Sequence, residues 1–178
     1  LNLDLTRLLA ESLGIPYTSR RTKGRKEDEL ADLAALLEPL PVDGVVSGAI
    51  ASEYQRTRIE RVCDRLGLKT FTPLWHKDQG LLLQDQLNAG FSIMVVGVSA
   101  EGLTKDWLGR LLNPAALAEL QRLNTNKGVN IAGEGGEYET LVLDGPILHQ
   151  RLVIDEQEKH WARDSGTLVV KKAHLQVR

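Results

Sequence analysis

Apolar residues in the first hundred positions follow two different spacings. Four segments carry them at intervals of three and four residues, at positions 1–13, 30–37, 59–66 and 83–87. Such spacing puts apolar side chains on one face of an α-helix. Each helical segment is followed by a short strand-like run, at positions 15–18, 44–50, 68–75 and 91–98. Helices and strands therefore alternate, which predicts a parallel sheet with helices on its faces, and the length of run 44–50 predicts a buried strand.

Capping residues mark the ends of these helices. The segment Ser52-Glu-Tyr-Gln55 has the form of a capping box, and Asn113-Pro114 fits an N-cap followed by proline at the first helical position. The second pair predicts a further helix to about Leu123. Glycine and proline stop signals follow the predicted helices at Gly14, Gly67, Gly90, Pro39 and Pro41.

The pattern changes after about residue 99. Strand-like runs with short connections follow at positions 140–143, 151–154, 167–170 and 174–177. Short connections favour antiparallel pairing. We therefore predict an α/β domain over residues 1–99 and a smaller α+β domain over residues 100–178.

Composition limits the possible classes of protein. Of the 178 residues, 42% are hydrophobic and 26% are charged, and the formal net charge is -2, so neither a nucleic-acid-coating surface nor an acidic tail is indicated. Cys63 is the only cysteine, which excludes internal disulfides and two-cysteine metal motifs. No apolar run reaches the roughly 20 residues of a membrane helix, and no signal peptide is evident. A cytoplasmic protein without a membrane partner is expected.

The most informative segment is rich in both glycine and glutamate, and it runs from Gly133 to Thr140 as Gly-Glu-Gly-Gly-Glu-Tyr-Glu-Thr. Glu134 lies within a predicted bend, while Glu137 and Glu139 begin a strand and are predicted to share one face with Leu141. Carboxylates on an apolar face need a cation, an arginine, a metal or an ammonium group opposite them. A turn with surface glutamates fits the pattern equally well. Neither a Walker loop nor a dinucleotide fingerprint is present.

A second candidate segment spans residues 46–60, where a predicted parallel strand leads into a helix. Ligands of α/β sheets bind at such crossings, and a helix N-terminus near Ser52 offers N–H groups to an anion. Ser47 and Gly48 would let a ligand approach the backbone. In the first helical turns, the residues predicted to bind are Tyr54, Gln55 and Arg58, whereas the nearby Arg61 and Arg65 are interpreted as solvated.

Other chemically notable residues carry weaker signals. Cys63 is interpreted as core, Trp107 and Trp161 as packing residues, and His76 as structural or exposed. The remaining histidines, at positions 149, 160 and 174, show no metal spacing, and no metal-ligating residue is predicted. The basic stretch 20–26 is either a solvated loop or a contact for ATP phosphates, RNA or a protein.

These motifs together resemble the diphthine–ammonia ligase family, an N-type ATP pyrophosphatase group. The resemblance rests first on the octet 133–140 and its continuation Asp144-Gly-Pro146. It also rests on four shorter motifs: Ser47-Gly-Ala-Ile, Tyr54-Gln-Arg-x-Arg58, Cys63-x-x-Leu66-Gly-Leu68 and Leu74-Trp75. It implies a PP-loop (HUP/Rossmann-like) α/β domain, truncated at its N-terminus, followed by a smaller α+β domain.

The resemblance also implies a reaction. Members of this family amidate diphthine on elongation factor 2, using ATP, Mg²⁺ and ammonium, and release AMP and pyrophosphate through an acyl-adenylate. By this resemblance Glu134, Glu137 and Glu139 are the catalytic candidates, which either capture and deprotonate ammonium or bind the trimethylammonio group of diphthine. The candidate nucleotide- or substrate-binding residues are Ser47, Gly48, Tyr54, Gln55, Arg58, Gly133, Gly135, Gly136, Tyr138 and Thr140.

One hallmark of the family is not found in this sequence. The phosphate-binding Ser-Gly-Gly-x-Asp-Ser of the family does not occur, so we expect roughly 50 to 80 residues carrying it upstream of Leu1. The 178 residues alone are then expected to be inactive. Two alternatives stay open, a non-catalytic nucleotide- or protein-binding module and an RNA-modifying ATP pyrophosphatase. Nucleic acid is the less favoured partner, and a homodimer is left open.

Overall fold

A computed structural model describes residues 2–22 and 26–178, without the side chains of residues 26–28. The chain divides into two compact units. The larger unit combines Leu1–Tyr17 with Asp78–Arg178, and the smaller unit is Thr18–Lys77. Within the described ranges the chain is a mixed α/β protein with one small parallel sheet and one antiparallel sheet.

The described residues form five α-helices and six strands. The helices are α1 (Thr6–Leu13), α2 (Lys26–Leu37), α3 (Glu53–Leu66), α4 (Gln79–Asn88) and α5 (Pro114–Lys127). The strands are β1 (Gly44–Val46), β2 (Lys69–Phe71), β3 (Ser92–Val98), β4 (Tyr138–Asp144), β5 (Gln150–Ala162) and β6 (Ser165–Val177). Short 3₁₀ helices cover Leu3–Leu5 and Lys105–Trp107. None of the helices in these ranges has the length and apolar character needed to cross a bilayer.

The larger unit is built on a four-stranded antiparallel sheet in the order β4-β3-β6-β5. Strand β3 is buried along almost its whole length because it lies between two neighbours and because helical side chains pack against the sheet. Val95, Leu108, Leu120 and Leu168 are fully or almost fully buried in this core. Strands β5 and β6 form a long hairpin of 13 residues each.

Polar side chains attach the N-terminal segment to this hairpin. The Asn2 amide donates to the carbonyl of Leu168 at 2.9 Å and accepts from the N–H of Val170 at 2.9 Å, so it imitates a neighbouring strand. The fully buried Ser12 hydroxyl accepts from the N–H of Gln150 at 3.1 Å and donates to the carbonyl of the same residue. Backbone groups at the start of β5 are thereby satisfied by residues more than 130 positions away.

The smaller unit pairs β1 and β2 in parallel, with Gly44 opposite Lys69 and Val46 opposite Phe71. Helix α3 lies between these strands in the chain. The Ser52 hydroxyl accepts from the N–H of Gln55 at its start, and Gly67 ends it with a φ of 69°. The left-handed conformation favours glycine at this position.

Local helix signals in the sequence are confirmed. The predicted caps at Ser52 and Asn113 both accept backbone hydrogen bonds, and Gly14 and Gly67 both adopt left-handed conformations at helix ends. Cys63 has 0% exposure, as predicted for a core residue, and burial raises the pKa of its thiol. Trp107 is also buried as predicted.

Several strand predictions are wrong in detail. The run 44–50 forms a strand only over Gly44–Val46, and Val46 is 70% exposed, so this strand is not buried. The run 68–75 is a strand only over Lys69–Phe71, and residues 15–18 form no strand. The described part of this sheet has only two strands, and a two-stranded sheet leaves apolar positions such as Phe71 uncovered. The runs 167–170 and 174–177 belong to the single strand β6.

The single parallel sheet predicted for residues 1–99 is also wrong. Strand β3 pairs antiparallel with β4 and β6, and only β1 and β2 are parallel. Along the chain, the second of the two compact units' boundaries accordingly falls between Lys77 and Asp78, whereas the sequence prediction placed the domain boundary between residues 99 and 100. An apolar run has the same pattern whichever partners its backbone finds, so the run 91–98 did not reveal antiparallel neighbours. Of the basic stretch 20–26, positions 23–25 lie outside the described residues.

Candidate functional site

The glycine-rich acidic segment forms a tight loop before β4. The Asn130 side chain accepts hydrogen bonds from the N–H groups of Ala132 at 3.0 Å and of Glu134 at 3.2 Å. Gly133 has a φ of +73°, and a Cβ atom there would lie 2.7 Å from the Tyr138 carbonyl oxygen. Only glycine fits at Gly133, because any side chain would collide with the backbone of the next strand.

Glu137 holds this loop from inside. Its two carboxylate oxygens accept from the N–H of Asn130 at 3.2 Å and from the N–H of Gly135 at 2.9 Å. The prediction that Glu137 and Glu139 share a strand face with Leu141 is wrong. Glu137 precedes β4, and Leu141 is buried while Glu139 is exposed. A register shift between Val95 and Gly97 interrupts the regular pairing of β3 with this strand.

Tyr138 anchors the start of β4 in the core. Its hydroxyl donates to the carbonyl of Ile131, and its side chain is buried. Burial raises the pKa of this phenol far above its ordinary value, and the nearby charge of Glu137 raises it further. Tyr138 is therefore a neutral hydrogen-bond donor at physiological pH and is unsuited to act as a base.

Glu139 lies in a row of residues that crosses all four strands. It is opposite Gly97 on β3, which is opposite Thr167 on β6, which is opposite His160 on β5. Side chains at directly opposed positions point to the same face of a sheet, and those one position further along point to the other face. The side chains of this row therefore lie on the face opposite to that of the buried pair Val98 and Tyr138. Gly97 has no side chain, so the Glu139 side chain lies close over it, with its Cβ 3.2 Å from a Cβ built on the glycine.

A pocket of about 350 Å³ opens along this row. At the end of the sheet, Ala162 and Ser165 lie opposite each other, and their small side chains leave space that extends the pocket. Ser99 also lies at this end, where its N–H donates to the carbonyl of Glu137. The Ser99 hydroxyl donates to the carbonyl of Gly136, which links the pocket to the glycine loop. The residues that line the pocket are Gly97, Val98, Ser99, Gly136, Tyr138, Glu139, His160, Trp161, Ala162, Ser165, Gly166 and Thr167.

The structure therefore brings only some predicted site residues of the larger unit together. Gly136, Tyr138 and Glu139 line the pocket. The other predicted residues of this segment, Gly133, Glu134, Gly135, Glu137 and Thr140, do not line it. The role of these residues stays a prediction, although the contacts of Glu137 place it in the loop framework.

Sequence reasoning missed most of the pocket. Gly97, Ser99 and Thr167 were not singled out, His160 was set aside for lack of metal spacing, and Trp161 was assigned only to packing. These residues meet through strand pairing across more than 60 positions, which leaves no local motif. A glycine within the strongly β-prone run 91–98 was the one available signal, since glycine inside a strand marks close approach of a ligand or a backbone.

Predicted residues of the smaller unit also meet in a pocket. Tyr54, Gln55 and Arg58 on α3 line a space of about 250 Å³. The guanidinium of Arg58 lies 4.9 Å from the Tyr54 ring centre and 3.5 Å from a carboxylate oxygen of Glu29, and its side chain is only 15% exposed. Glu29 also lines this pocket, together with the apolar residues Leu30, Leu33 and Ile59.

Ser47 and Gly48 lie outside this pocket. The Ser47 N–H donates to the carbonyl of Phe71 at 2.9 Å, and its hydroxyl accepts from Ala49 at 3.3 Å. A Cβ built on Gly48 has no heavy atom within 4 Å, so the space around this residue is open. At the start of α3, the Ser52 hydroxyl accepts the hydrogen bond of the Gln55 N–H, and Glu53 adds a negative charge. Both features disfavour the anion site that was expected there.

An aromatic stack, also missed by sequence reasoning, follows β2 in the smaller unit. The rings of Trp75 and His76 stack with centres 4.5 Å apart, and the Arg56 guanidinium lies 4.8 Å from the Trp75 ring. Glu53 and Glu60 both form ion pairs with Arg56, at 2.8 and 2.6 Å, which orient the guanidinium. The positive φ of His76, 57°, places it in a turn after the strand.

Two further features bear on the predicted motifs. Burial would raise the pKa of Asp144, but hydrogen bonds from Arg178 and from the Gly145 N–H hold it below its ordinary value. The Asp-Gly-Pro motif thus contributes an ion pair at the end of β4. Among the residues that the structure describes, no three His, Cys, Asp or Glu side chains are placed to hold a metal ion.

Comparison with known proteins identifies the family. The family model of the diphthamide synthase C-terminal domain matches residues 78–176, which is more than half of the chain. The chain belongs to the diphthamide synthase family. The model of the diphthamide synthase N-terminal domain matches residues 1–70. The C-terminal match begins at Asp78, the residue that caps α4 and resumes the larger unit.

Individual relatives agree with this assignment. The chain is 40% identical over 167 residues to a diphthine–ammonia ligase of Danio rerio, 38% over 175 residues to one of Schizosaccharomyces pombe and 36% over 167 residues to one of Homo sapiens. These alignments cover 85%, 87% and 85% of the chain. They cover 65%, 28% and 62% of the relatives, so the chain spans less than two thirds of the length of each.

Replacing Glu137 by glutamine is expected to loosen the glycine loop of this diphthamide synthase family member. Glutamine offers one acceptor oxygen where the carboxylate offers two, and its amide nitrogen would face a backbone N–H. Loss of a hydrogen bond to a charged group costs about 1.5–3 kcal/mol, which corresponds to roughly 10- to 150-fold faster hydrogen exchange at the Gly135 amide. Exchange measured by NMR checks this, with the exposed Glu156→Gln variant as control. Unchanged exchange at Gly135 would show that the carboxylate does not hold the loop.

Proposed function

We propose that this chain is the substrate-side and adenine-side portion of a diphthine–ammonia ligase. The proposed reaction converts diphthine on elongation factor 2 to diphthamide, consumes ATP and ammonium, and releases AMP and pyrophosphate. The observation that carries the proposal is the match of both diphthamide synthase domains in order along the chain. The relatives named diphthine–ammonia ligase support it.

The chemistry of this reaction needs an activated carboxyl group. A carboxylate oxygen of diphthine attacks the α-phosphorus of ATP, and the bond to the β-phosphate oxygen breaks, so pyrophosphate leaves. Ammonia, formed when ammonium gives up a proton, then attacks the carbonyl carbon of the acyl-adenylate. The carbon–oxygen bond to AMP breaks, the nitrogen loses a further proton, and the amide is formed. ATP is thus a substrate of the proposed reaction.

The larger unit is proposed to bind the protein-linked substrate. Glu139 is the one of the three catalytic candidates that lines the pocket, and its negative charge suits a cationic reactant. Glu137 is proposed to act indirectly, because its carboxylate already accepts two backbone N–H groups of the loop. Tyr138 is proposed to position the start of β4 through its hydrogen bond to Ile131.

The smaller unit is proposed to contact the nucleotide through Tyr54, Gln55 and Arg58. Their pocket of about 250 Å³ has mostly apolar walls and one guanidinium paired with the Glu29 carboxylate, which suits the base of a nucleotide better than its phosphates. Small-molecule sites typically occupy about 300–1,000 Å³, so the pocket does not fit a whole ATP. We propose that Mg²⁺ is bound mainly by phosphate oxygens, as is usual for this ion in nucleotide sites. Among the described side chains, at residues 2–22 and 29–178, no three-residue metal cluster is found.

The test uses the natural gene product expressed from its complete coding sequence. AMP release is expected only when ammonium and diphthine-bearing elongation factor 2 are both present. The Glu139→Gln variant is expected to lower kcat/KM for this substrate by about 30-fold or more, because truncating one partner of a close charge pair costs 2–5 kcal/mol or more. Glu156→Gln, an exposed change on β5 outside the pocket, is expected to leave the rate unchanged.

The same assay distinguishes the alternatives. ATP binding without AMP release under all conditions would contradict the ligase and favour a binding module. AMP release that depends on RNA, and not on elongation factor 2, would favour an RNA-modifying ATP pyrophosphatase. Equal rates for the Glu139→Gln and Glu156→Gln variants would remove Glu139 from the proposed substrate site.

A further inference from the structure

We propose that the pocket beside Glu139 binds the quaternary ammonium end of the substrate, and not the ammonium ion that is incorporated. This inference rests on the proposed function, because it assigns one of two cationic reactants to one site. The sequence left both assignments open for the three glutamates. The cross-strand row of Glu139, Gly97, Thr167 and His160 distinguishes them by size, hydrogen bonding and charge.

Size is the first criterion. The pocket measures about 350 Å³, whereas an ammonium ion has nearly the dimensions of a water molecule, whose share of liquid volume is about 30 Å³. An ammonium ion would therefore remain largely hydrated in a space this large. A trimethylammonio group with the carbon chain that carries it fills far more of the volume and displaces the water.

Hydrogen bonding is the second criterion. An ammonium ion has four N–H donors and needs several acceptors around it, while a quaternary ammonium has none and needs only a negative charge and apolar or aromatic contacts. Gly97 and Ala162, which share the face of Glu139, offer carbon surface to the pocket.

Charge is the third criterion. Glu139 is the only carboxylate among the lining residues, and no lysine or arginine lines the pocket. Among the side chains that the structure describes, those of residues 2–22 and 29–178, none forms a hydrogen bond or an ion pair with the Glu139 carboxylate. His160 also lines the pocket, but its ring lies 3.5 Å from a carboxylate oxygen of Glu158, outside the lining. A single negative charge without an ion-pair partner, next to carbon surface, suits a quaternary ammonium group.

Gly97 explains why Glu139 lies where it does. A Cβ atom at this position would lie 3.2 Å from the Cβ and 3.6 Å from the Cδ of Glu139, which is tight contact. Glycine therefore allows the carboxylate to lie over the strand and leaves the floor of the pocket open. Gly97 is thus a positioning residue in this proposal, since it acts through Glu139.

The first experiment measures binding to the full 178-residue chain by NMR, without ATP or elongation factor 2. Tetramethylammonium chloride is expected to shift the amide signals of Gly97, Ser99 and Thr167 saturably, whereas ammonium chloride and sodium chloride at equal concentrations are not. Glu139→Gln is expected to weaken tetramethylammonium binding at least tenfold, and Glu156→Gln to leave it unchanged. Equal shifts with ammonium chloride, or undiminished binding by Glu139→Gln, would overturn the proposal.

A kinetic measurement on the natural gene product keeps this inference separate from the proposed function. If both hold, Glu139→Gln raises the KM for diphthine-bearing elongation factor 2 at least tenfold and leaves the KM for ammonium unchanged. A raised KM for ammonium instead would refute the assignment while the ligase activity stands. Saturable tetramethylammonium binding by a protein that releases no AMP would refute the ligase and leave the cation pocket in place.

Discussion

Replacing Leu120 by alanine is expected to lower the free energy of unfolding of the larger unit by about 2–5 kcal/mol. Leu120 lies on α5 with 0% exposure, in the same core cluster as Val95 and Leu168. Removing its terminal carbons loses their transfer free energy and leaves a cavity that the sheet can fill only partly. Chemical denaturation followed by tryptophan fluorescence measures the change.

The control for this prediction is Leu81→Ala. Leu81 is also a helical leucine, on α4 of the same unit, but it is 66% exposed. Its truncation is expected to change stability by no more than about 0.5 kcal/mol, the usual range for surface substitutions. If the two variants unfold at the same denaturant concentration, α5 does not pack on the sheet as described.

The helices were predictable because their signals are local. Ser52 and Asn113 cap helices through their own side chains, and Gly67 ends α3 in a conformation that other residues adopt at a cost. Each signal acts within four residues of the helix end it marks. Each of these capping interactions can therefore be predicted from a short stretch of the sequence.

Strand partners were not predictable because their signals are distant. The apolar run 91–98 fits a central strand of either kind of sheet, and its neighbours β4 and β6 begin about 40 and 70 positions further along the chain. The amphipathic pattern of α1 likewise did not reveal that Ser12 bonds to Gln150. Such pairings depend on which distant segments complete the backbone hydrogen bonds.

The candidate site combines a segment that local sequence predicts with residues that only distant strand pairing brings together. The octet 133–140 was identified from its composition, and Glu139 within it lines the pocket. The opposite wall, with His160 and Thr167, comes from the hairpin and is brought near only by the sheet. The separation of Glu137 from Glu139 was not predictable either, because alternation along a strand assumes that the strand has already begun.

Replacing Gly166 by alanine is expected to destabilise the larger unit by about 1–3 kcal/mol, and to alter the pocket. Gly166 is opposite Trp161 in the hairpin and opposite Val98 on β3. A Cβ atom there would lie 2.8 Å from the His160 carbonyl oxygen, against the Trp161 ring and 3.0 Å from a Leu108 methyl group. A carbonyl oxygen held in a strand pair cannot turn aside as a flexible side chain can, so the hairpin itself must shift.

Two measurements distinguish this strain from a general effect of adding a methyl group. Gly48→Ala, where the new Cβ meets no heavy atom within 4 Å, is expected to change stability by less than about 0.5 kcal/mol. The shift caused by Gly166→Ala is expected to move His160, and so to weaken tetramethylammonium binding several-fold even under conditions where the variant stays folded. If a folded Gly166→Ala protein has the stability and the tetramethylammonium binding of the unmodified chain, the added methyl group does not shift the hairpin or the position of His160. The strands that carry Glu139, Gly97, Thr167 and His160 would then be flexible enough to absorb the methyl group, and the shape of the pocket would not determine which cation binds.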